Sequence, residues 1–217
     1  MTSRYPLSQG AMSHAVKVLT MSAEAEVPQA SKWATRFILA TIIQGALAIG
    51  LTAWLLYSAV FGVPAASKIV AGGGAGTWLT VGYLGYLIAG LVATAGAAFF
   101  YQFMEVRLRK PFKGFTNALA WAHLFLWNIG VVGATWLMMH AGFRGGAAQL
   151  SVANGGLGWT GAQAGLVHSQ IMGAYPPYIA IFFAAALIGG LLGLVGFAVT
   201  FARPAVAVAP VGATTKA

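Results

Sequence analysis

Four long runs of apolar residues without Asp, Glu, Lys or Arg constrain the fold of this chain more than any other feature. They cover residues 37–61, 78–103, 115–141 and 178–201. A helix needs about 20 mostly apolar residues to cross a hydrocarbon core of roughly 30 Å, so each run is long enough. Only 7% of the residues are charged, against roughly 25% in an ordinary soluble domain. The sequence therefore predicts an all-α integral membrane protein with a four-helix transmembrane bundle.

The segments that flank these runs complete the predicted domain organisation. Residues 1–33 contain charged side chains and lack the apolar core of a signal peptide, which indicates a polar N-terminal arm. The transmembrane domain covers residues 34–203. Residues 204–217 are rich in Ala, Val, Pro and Thr, a composition typical of a short flexible tail at a chain end.

The connections between the runs are predicted to be glycine-rich loops at residues 62–77 and 142–165. Residues 162–175 are less apolar than the run that follows, and they fit an interfacial or re-entrant segment or an extra first helical turn. The pair Pro176 and Pro177 predicts the start of the fourth helix, because proline is tolerated in the first turn of a helix and not in its interior.

The basic residues predict the orientation of the bundle. With a cytoplasmic N-terminus, ten of the 12 Lys and Arg residues fall on the cytoplasmic side, and only Lys68 and Arg144 fall outside. This distribution follows the positive-inside rule, so we expect a multi-pass protein of the cell (plasma) membrane with both termini cytoplasmic. The basic residues stand at the ends of apolar runs, which indicates no nucleic-acid partner. Glu105 is expected to form an exposed ion pair with Arg107 or Arg109.

Glycines recur inside the predicted spans and are the main candidates for close helix packing. Gly189 and Gly193 form a GxxxG pair, which lets helix backbones approach closely in a membrane. We expect at least one glycine face to pack on another helix and one face to remain for a partner subunit, with Tyr83, Tyr86 or Trp136 beside it. The helix-packing candidates are Gly82, Gly85 and Gly90 in the second span, Gly130 in the third, and Gly189, Gly193 and Gly196 in the fourth.

The histidines are the candidates for a cofactor site, because the chain has no cysteine and its spans hold no acidic residue. His123 and His140 are 17 residues apart on one predicted helix, or about 25 Å, so they cannot ligate one iron. We expect each at a membrane interface. His140 with His168 is the remaining pair for a b-type haem, and we expect no redox cofactor bound by the chain itself. The other polar residues within the spans include Gln44, Asn117, Asn128 and Thr135.

One stretch carries a motif-like pattern. Residues 99–146 read FFYQFMEVRLRKPFKGFTNALAWAHLFLWNIGVVGATWLMMHAGFRGG. An aromatic helix end is followed by a basic loop, and the next helix ends in His-Ala-Gly. The pattern consists of Lys110 and Pro111 in the loop, then His123, Ile129 and Gly130, and finally Met139, His140, Ala141 and Gly142. It resembles the last third of the catalytic subunit I of haem–copper oxidases, whose corresponding loop is cytoplasmic.

The resemblance extends over residues 34–201, with motifs only in residues 95–146. It implies that the four spans correspond to the last four helices of subunit I. In that family, the helix equivalent to the second span carries a His-Phe-His pair that ligates both haems. Here the matching turn, residues 82–85, reads Gly-Tyr-Leu-Gly, and the family's copper ligands lie on earlier helices. The resemblance therefore implies a haem-less relative, with haem and copper in partner subunits.

Three functions remain open from the sequence. The first is a non-catalytic accessory subunit of a respiratory membrane complex, most simply a haem–copper terminal oxidase or its supercomplex. The second is a small membrane transporter or channel, which lacks support because no charged group lies within a span and no internal repeat is evident. The third is a haem-b-binding electron carrier that uses His140 and His168.

Overall fold

The computed structural model describes residues 31–206, and this part of the chain is entirely helical apart from its connections. Four helices are long and apolar enough to cross a membrane, so the chain is a multi-pass membrane protein. This confirms the predicted helical fold class. Residues 1–30 and 207–217, which hold most of the predicted arm and tail, lie outside the described residues. The helices are Lys32–Phe61 (α1), Ala66–Ala71 (α2), Gly74–Arg107 (α3), Phe115–Gln149 (α4) and Tyr175–Ala202 (α5).

Helix α4 is longer than the apolar run that predicts it. It continues eight residues past Ala141, through a segment that we expected to be a glycine-rich loop. Both Gly145 and Gly146 are buried there. A Cβ atom on Gly146 would lie 2.5 Å from Cγ2 of Ile69 and 2.9 Å from Cα of Gly76. These glycines let α4 pack closely on α2 and on the start of α3, and this contact keeps the segment helical.

The segment before α5 is a pair of short helical turns, Gly161–Gly165 and Val167–Ile171. The second turn packs on α4, and Val167 and Met172 are buried. Helix α5 begins at Tyr175 with its two prolines in the first turn, three residues before the predicted start. The proline pair therefore marked the helix start.

The order of packing across the bundle is α1, α3, α4 and α5. Helix α3 contains two π-helical segments, Tyr86–Val92 and Phe103–Arg107. Its first α-helical part, Thr77–Gly85, packs mainly on α4, whereas the part Ala93–Gln102 packs mainly on α1. Helix α5 packs mainly on α4. Helices α3 and α4 are therefore central, and α1 and α5 flank them.

Both ends of the described chain lie at one end of the bundle. The Arg203 guanidinium donates to the Thr116 hydroxyl at 3.2 Å, and the Val206 amide donates to the Arg109 carbonyl at 3.0 Å. We call this the basic end, because seven of the nine Lys and Arg residues in residues 31–206 belong to it: Lys32, Arg36, Arg107, Arg109, Lys110, Lys113 and Arg203. The opposite end holds Lys68 and Arg144, and we call it the glycine-rich end.

Glu105 caps helix α1 and does not form the ion pair that we expected with Arg107 or Arg109. Its carboxylate oxygen Oε2 accepts from the Ser31 hydroxyl at 2.5 Å and from the Trp33 amide at 3.0 Å. The first amides of a helix have no intrahelical acceptor, and the helix dipole favours a negative charge beside them. A carboxylate from α3 therefore accepts the hydrogen bond of a free amide at the start of α1. The arginines next to Glu105 have no hydrogen-bond acceptor and could not take this role.

Candidate functional site

The interface between α4 and α5 depends on glycines at two backbone contacts. A Cβ atom on Gly130 would lie 2.4 Å from the backbone nitrogen of Ala186, and a Cβ atom on Gly189 would lie 2.5 Å from the backbone nitrogen of Trp127. Ordinary van der Waals contact begins at about 3.4 Å. The two helices are therefore in backbone contact, and a larger side chain at either glycine would separate them.

Helix α3 uses its glycines in a similar way. A Cβ atom on Gly82 would lie 2.7 Å from the carbonyl oxygen of Thr135 and 2.8 Å from the side chain of Met139, both on α4. At Gly90 the nearest atoms belong to the Tyr86 ring, and the Gln44 amide oxygen lies at 3.5 Å. Two further candidates, Gly85 and Gly196, meet their nearest neighbours at 3.6 and 3.5 Å.

The glycine faces of α3 and α5 are therefore occupied within the chain, and the expected free face does not lie there. Two of the aromatic residues expected beside it also point inward. Tyr86 is fully buried, and its hydroxyl donates to the side chain of Gln44 on α1. Tyr83 shares a hydrogen bond of 2.8 Å with Thr52, also on α1. Trp136 packs edge-on against Tyr86 at 6.0 Å.

A free small-residue face lies instead on α1, which the sequence reasoning did not single out. Ala46, Gly50 and Ala53 are exposed, and their spacing of four and three residues puts them on one side of the helix. No atom lies within 4 Å of a Cβ atom built on Gly50. Helix α1 is also the least buried span. The sequence signal was the small-xxx-small pair Ala46 and Gly50.

A polar cluster joins α1, α3 and α4 near the middle of the spans. The side-chain amide of Gln44 donates to Asn128 Oδ1 at 2.9 Å, and Tyr86 donates to Gln44 Oε1 at 2.6 Å. Thr94 lies 3.4 Å from Asn128 Oδ1, and Asn128 Nδ2 donates to the carbonyl of Leu124 at 2.8 Å. Sequence reasoning identified Gln44 and Asn128 as buried polar residues and did not predict that they bond to each other.

An open groove runs beside this cluster and faces the lipid. It encloses about 420 Å³ and is almost entirely apolar. Residues from three helices line it: Ile43, Gln44 and Leu47 of α1, Asn128, Ile129, Val132 and Gly133 of α4, and Phe182 of α5. The groove lies on the side of the bundle where α1, α4 and α5 do not close against one another.

His123 is a buried core residue of the bundle. It is 7% exposed, and its Nδ1 atom lies 3.2 Å from the Tyr101 hydroxyl. Its ring packs on Phe37 at 4.9 Å and on Phe197 at 6.1 Å. A Cβ atom on Gly193 would lie 2.5 Å from His123 Nδ1. Four helices meet around this ring, so it is held by packing between them.

His140 and His168, the candidate pair for a haem, are both exposed. His140 Nδ1 lies 3.0 Å from the hydroxyl of Tyr175 at the start of α5. His168 lies in the short helical turn before α5. Within residues 31–206, no group of three or more His, Cys, Asp or Glu side chains is arranged to hold a metal ion.

The basic end carries an aromatic cluster around a single cation. The Arg36 guanidinium lies 4.4 Å from the ring centroid of Trp33 and 4.2 Å from that of Trp121. The two indoles pack edge-to-face at 5.1 Å, and Phe125 stacks on Trp121 at 5.4 Å. Cation–π contacts of this kind stabilise by about 0.5–2 kcal/mol. They hold α1 against α4 at this end.

Comparison of the chain with protein-family models, with curated proteins and with solved structures gives no match. The resemblance to subunit I of haem–copper oxidases therefore rests on the motif residues of positions 95–146 alone.

Proposed function

We propose that this chain is a non-catalytic accessory subunit of a respiratory membrane complex, a haem–copper terminal oxidase or its supercomplex. It lies in the plasma membrane with both termini in the cytoplasm and docks on a larger membrane subunit through α1. Haem and copper belong to the partner subunits, and the chain binds no redox cofactor of its own. The proposal joins the resemblance in sequence to the packing of the helices.

The exposed small-residue face of α1 is the observation that carries this proposal. Glycine facing lipid contributes little packing and weakens a helix in water by up to about 1 kcal/mol relative to Ala. In membranes, small residues stabilise helix association by letting a second helix approach closely. Ala46, Gly50 and Ala53 have no such helix within residues 31–206. A helix of a partner subunit that packs on this face would make that close contact.

The absence of catalysis by the chain itself is supported at Gly82, within the turn that matches the haem-ligating helix of the family. This glycine is in contact with the backbone of α4 at Thr135. A histidine could not replace it without moving the backbone of α3 or α4. Close helix contact at this position favours a structural role for the segment.

The proposed orientation is supported by the distribution of charge between the two ends. Seven of the nine described Lys and Arg residues belong to the basic end, together with both ends of the described chain. An excess of this kind is typical of the cytoplasmic side. The Trp33 and Trp121 indoles at the same end are typical of an interfacial aromatic belt.

Affinity purification from native membranes tests the proposal. A tag is placed at the C-terminus, the membranes are solubilised in a mild detergent, and the co-purifying chains are identified by mass spectrometry. We expect haem- and copper-containing oxidase subunits, with a haem reduced-minus-oxidised spectrum. Purification of the chain without haem-containing subunits would overturn the assignment to an oxidase.

A pair of leucine variants tests the docking face. Gly50→Leu adds a side chain on the exposed face of α1, whereas Gly96→Leu adds the same side chain on α3, where a Cβ atom also meets nothing within 4 Å. We expect Gly50→Leu to reduce the yield of co-purifying subunits at least tenfold and Gly96→Leu to leave it unchanged. Both variants should unfold at the wild-type temperature. Equal yields from the two variants would exclude docking through α1.

A further inference from the structure

The polar cluster at the middle of the spans leaves two amide N–H donors without a partner among the described residues. An Asn or Gln amide has two N–H donors. Gln44 Nε2 gives one to Asn128, and Asn128 Nδ2 gives one to the Leu124 carbonyl. Both amide oxygens already accept, Gln44 Oε1 from Tyr86 and Asn128 Oδ1 from Gln44. Each amide therefore keeps one N–H that makes no hydrogen bond within residues 31–206.

These donors lie deep in the hydrocarbon layer. Gln44 is 12 residues from the start of α1, and Asn128 is 13 residues from the start of α4. At 1.5 Å per residue, these distances are about 18 and 20 Å. Water does not reach such a depth to satisfy an N–H group, and leaving a polar group unsatisfied there costs several kcal/mol. Polar groups within a span are for this reason commonly functional.

Both amides belong to the groove between α1, α4 and α5. Asn128 is partly exposed and, like Gln44, lines the groove. The walls are the apolar side chains of Ile43, Leu47, Ile129 and Phe182. The volume of about 420 Å³ is within the usual range of roughly 300–1,000 Å³ for small-molecule sites.

We infer that this groove binds a lipid-soluble quinone. A quinone ring is flat and apolar, and its carbonyl oxygens accept hydrogen bonds. Its apolar tail is soluble among the acyl chains of the lipid. Its carbonyls match the free N–H groups of Asn128 and Gln44.

Other occupants fit this site less well. A phospholipid phosphate or ester group stays near the membrane interface, far from the middle of the spans. The backbone carbonyls of a passing helix are already used within that helix. A plain acyl chain would fill the apolar walls and leave both N–H groups unsatisfied. The inference concerns only this chain's own groove, so it does not depend on the proposed partner complex.

Binding of decylubiquinone to the purified full-length chain in phosphatidylcholine nanodiscs tests the inference. Ligand retained after gel filtration is measured against empty nanodiscs of the same lipid. We expect a saturable excess of one molecule per chain. Dodecylbenzene, which carries no hydrogen-bond acceptor oxygen, should bind at least tenfold more weakly. Absence of an excess, or equal binding of dodecylbenzene, would overturn the inference.

Two tryptophan variants locate the site. Ile129→Trp places a large ring in the groove, and Ile49→Trp places the same ring on the exposed side of α1 that carries Ala46 and Gly50, where Ile49 is 73% exposed. We expect Ile129→Trp to weaken decylubiquinone binding at least tenfold and Ile49→Trp to leave it unchanged. Neither residue is part of the polar cluster, so both variants should keep the wild-type unfolding temperature. Equal binding by both variants would place the ligand elsewhere and refute the assignment.

Discussion

Because Gly189 contacts the backbone of α4, adding a single methyl group at this position should lower the stability of the protein. The substitution Gly189→Ala would place Cβ 2.5 Å from the Trp127 backbone nitrogen, which is about 0.9 Å closer than ordinary van der Waals contact. The obstacle is backbone and not the end of a flexible side chain, so α5 must move away from α4. That movement would also loosen the contact of Gly130 with Ala186.

The expected loss of stability is about 1–3 kcal/mol, the usual cost of overpacking a close-packed interior. Two glycines supply matched controls, because Gly50→Ala and Gly96→Ala add the same methyl group where no atom lies within 4 Å. At these control positions alanine improves helix propensity by up to about 1 kcal/mol. The three variants therefore separate steric cost from helix propensity.

Thermal unfolding in detergent micelles, followed by the fluorescence of the seven tryptophans, measures the difference. For a soluble chain of this size, 1 kcal/mol corresponds to about 2–4 °C in Tm, so we expect Gly189→Ala to unfold several degrees below wild type. Gly50→Ala and Gly96→Ala should unfold at or above the wild-type Tm. If Gly189→Ala were as stable as the two controls, backbone contact at α4 would not limit the packing of α5.

Three further predictions concern other parts of the chain. Glu105→Ala should destabilise the protein by about 1–2 kcal/mol, the usual cost of a lost helix cap, and hydrogen exchange should become faster at the first amides of α1, beside Ser31. Tyr86→Phe removes the donor to Gln44 and should cost about 0.5–2 kcal/mol in chemical unfolding; an unchanged midpoint would show that the bond contributes nothing. A reporter fused at the C-terminus that is active only in the cytoplasm should be active, and activity of a reporter that works only outside the cell would reverse the orientation.

The four spans could be predicted from sequence because the length and apolar character of a run are local properties. The neighbours of a residue are not local, and most errors arose there. Glu105 stands beside Arg107 and Arg109 in sequence, but its partner Ser31 is 74 residues away. Its role depends on α1 beginning next to the end of α3, which no local pattern specifies.

The candidate glycines illustrate the same limit. The GxxxG pattern identified Gly189 and Gly193 as contact residues, but it could not say that α4 of the same chain is their neighbour. The free face at Gly50 carries a weaker pattern and was overlooked. His123 was expected at an interface because of its position near the end of a run. The convergence of four helices around it follows from tertiary packing alone.

The π-helical segment Tyr86–Val92 lets α3 hold one residue more than a regular α-helix with the same overall rotation. An α-helix turns about 100° per residue, and a π-bulge absorbs one additional residue locally. Deletion of one residue within Tyr86–Val92 would therefore restore regular α-helix and leave Thr77–Gly85 on α4 and Ala93–Gln102 on α1. The same deletion within Thr77–Gly85 would instead turn one part of α3 relative to the other by about 100°, so that a different side of one of them would meet its neighbouring helix.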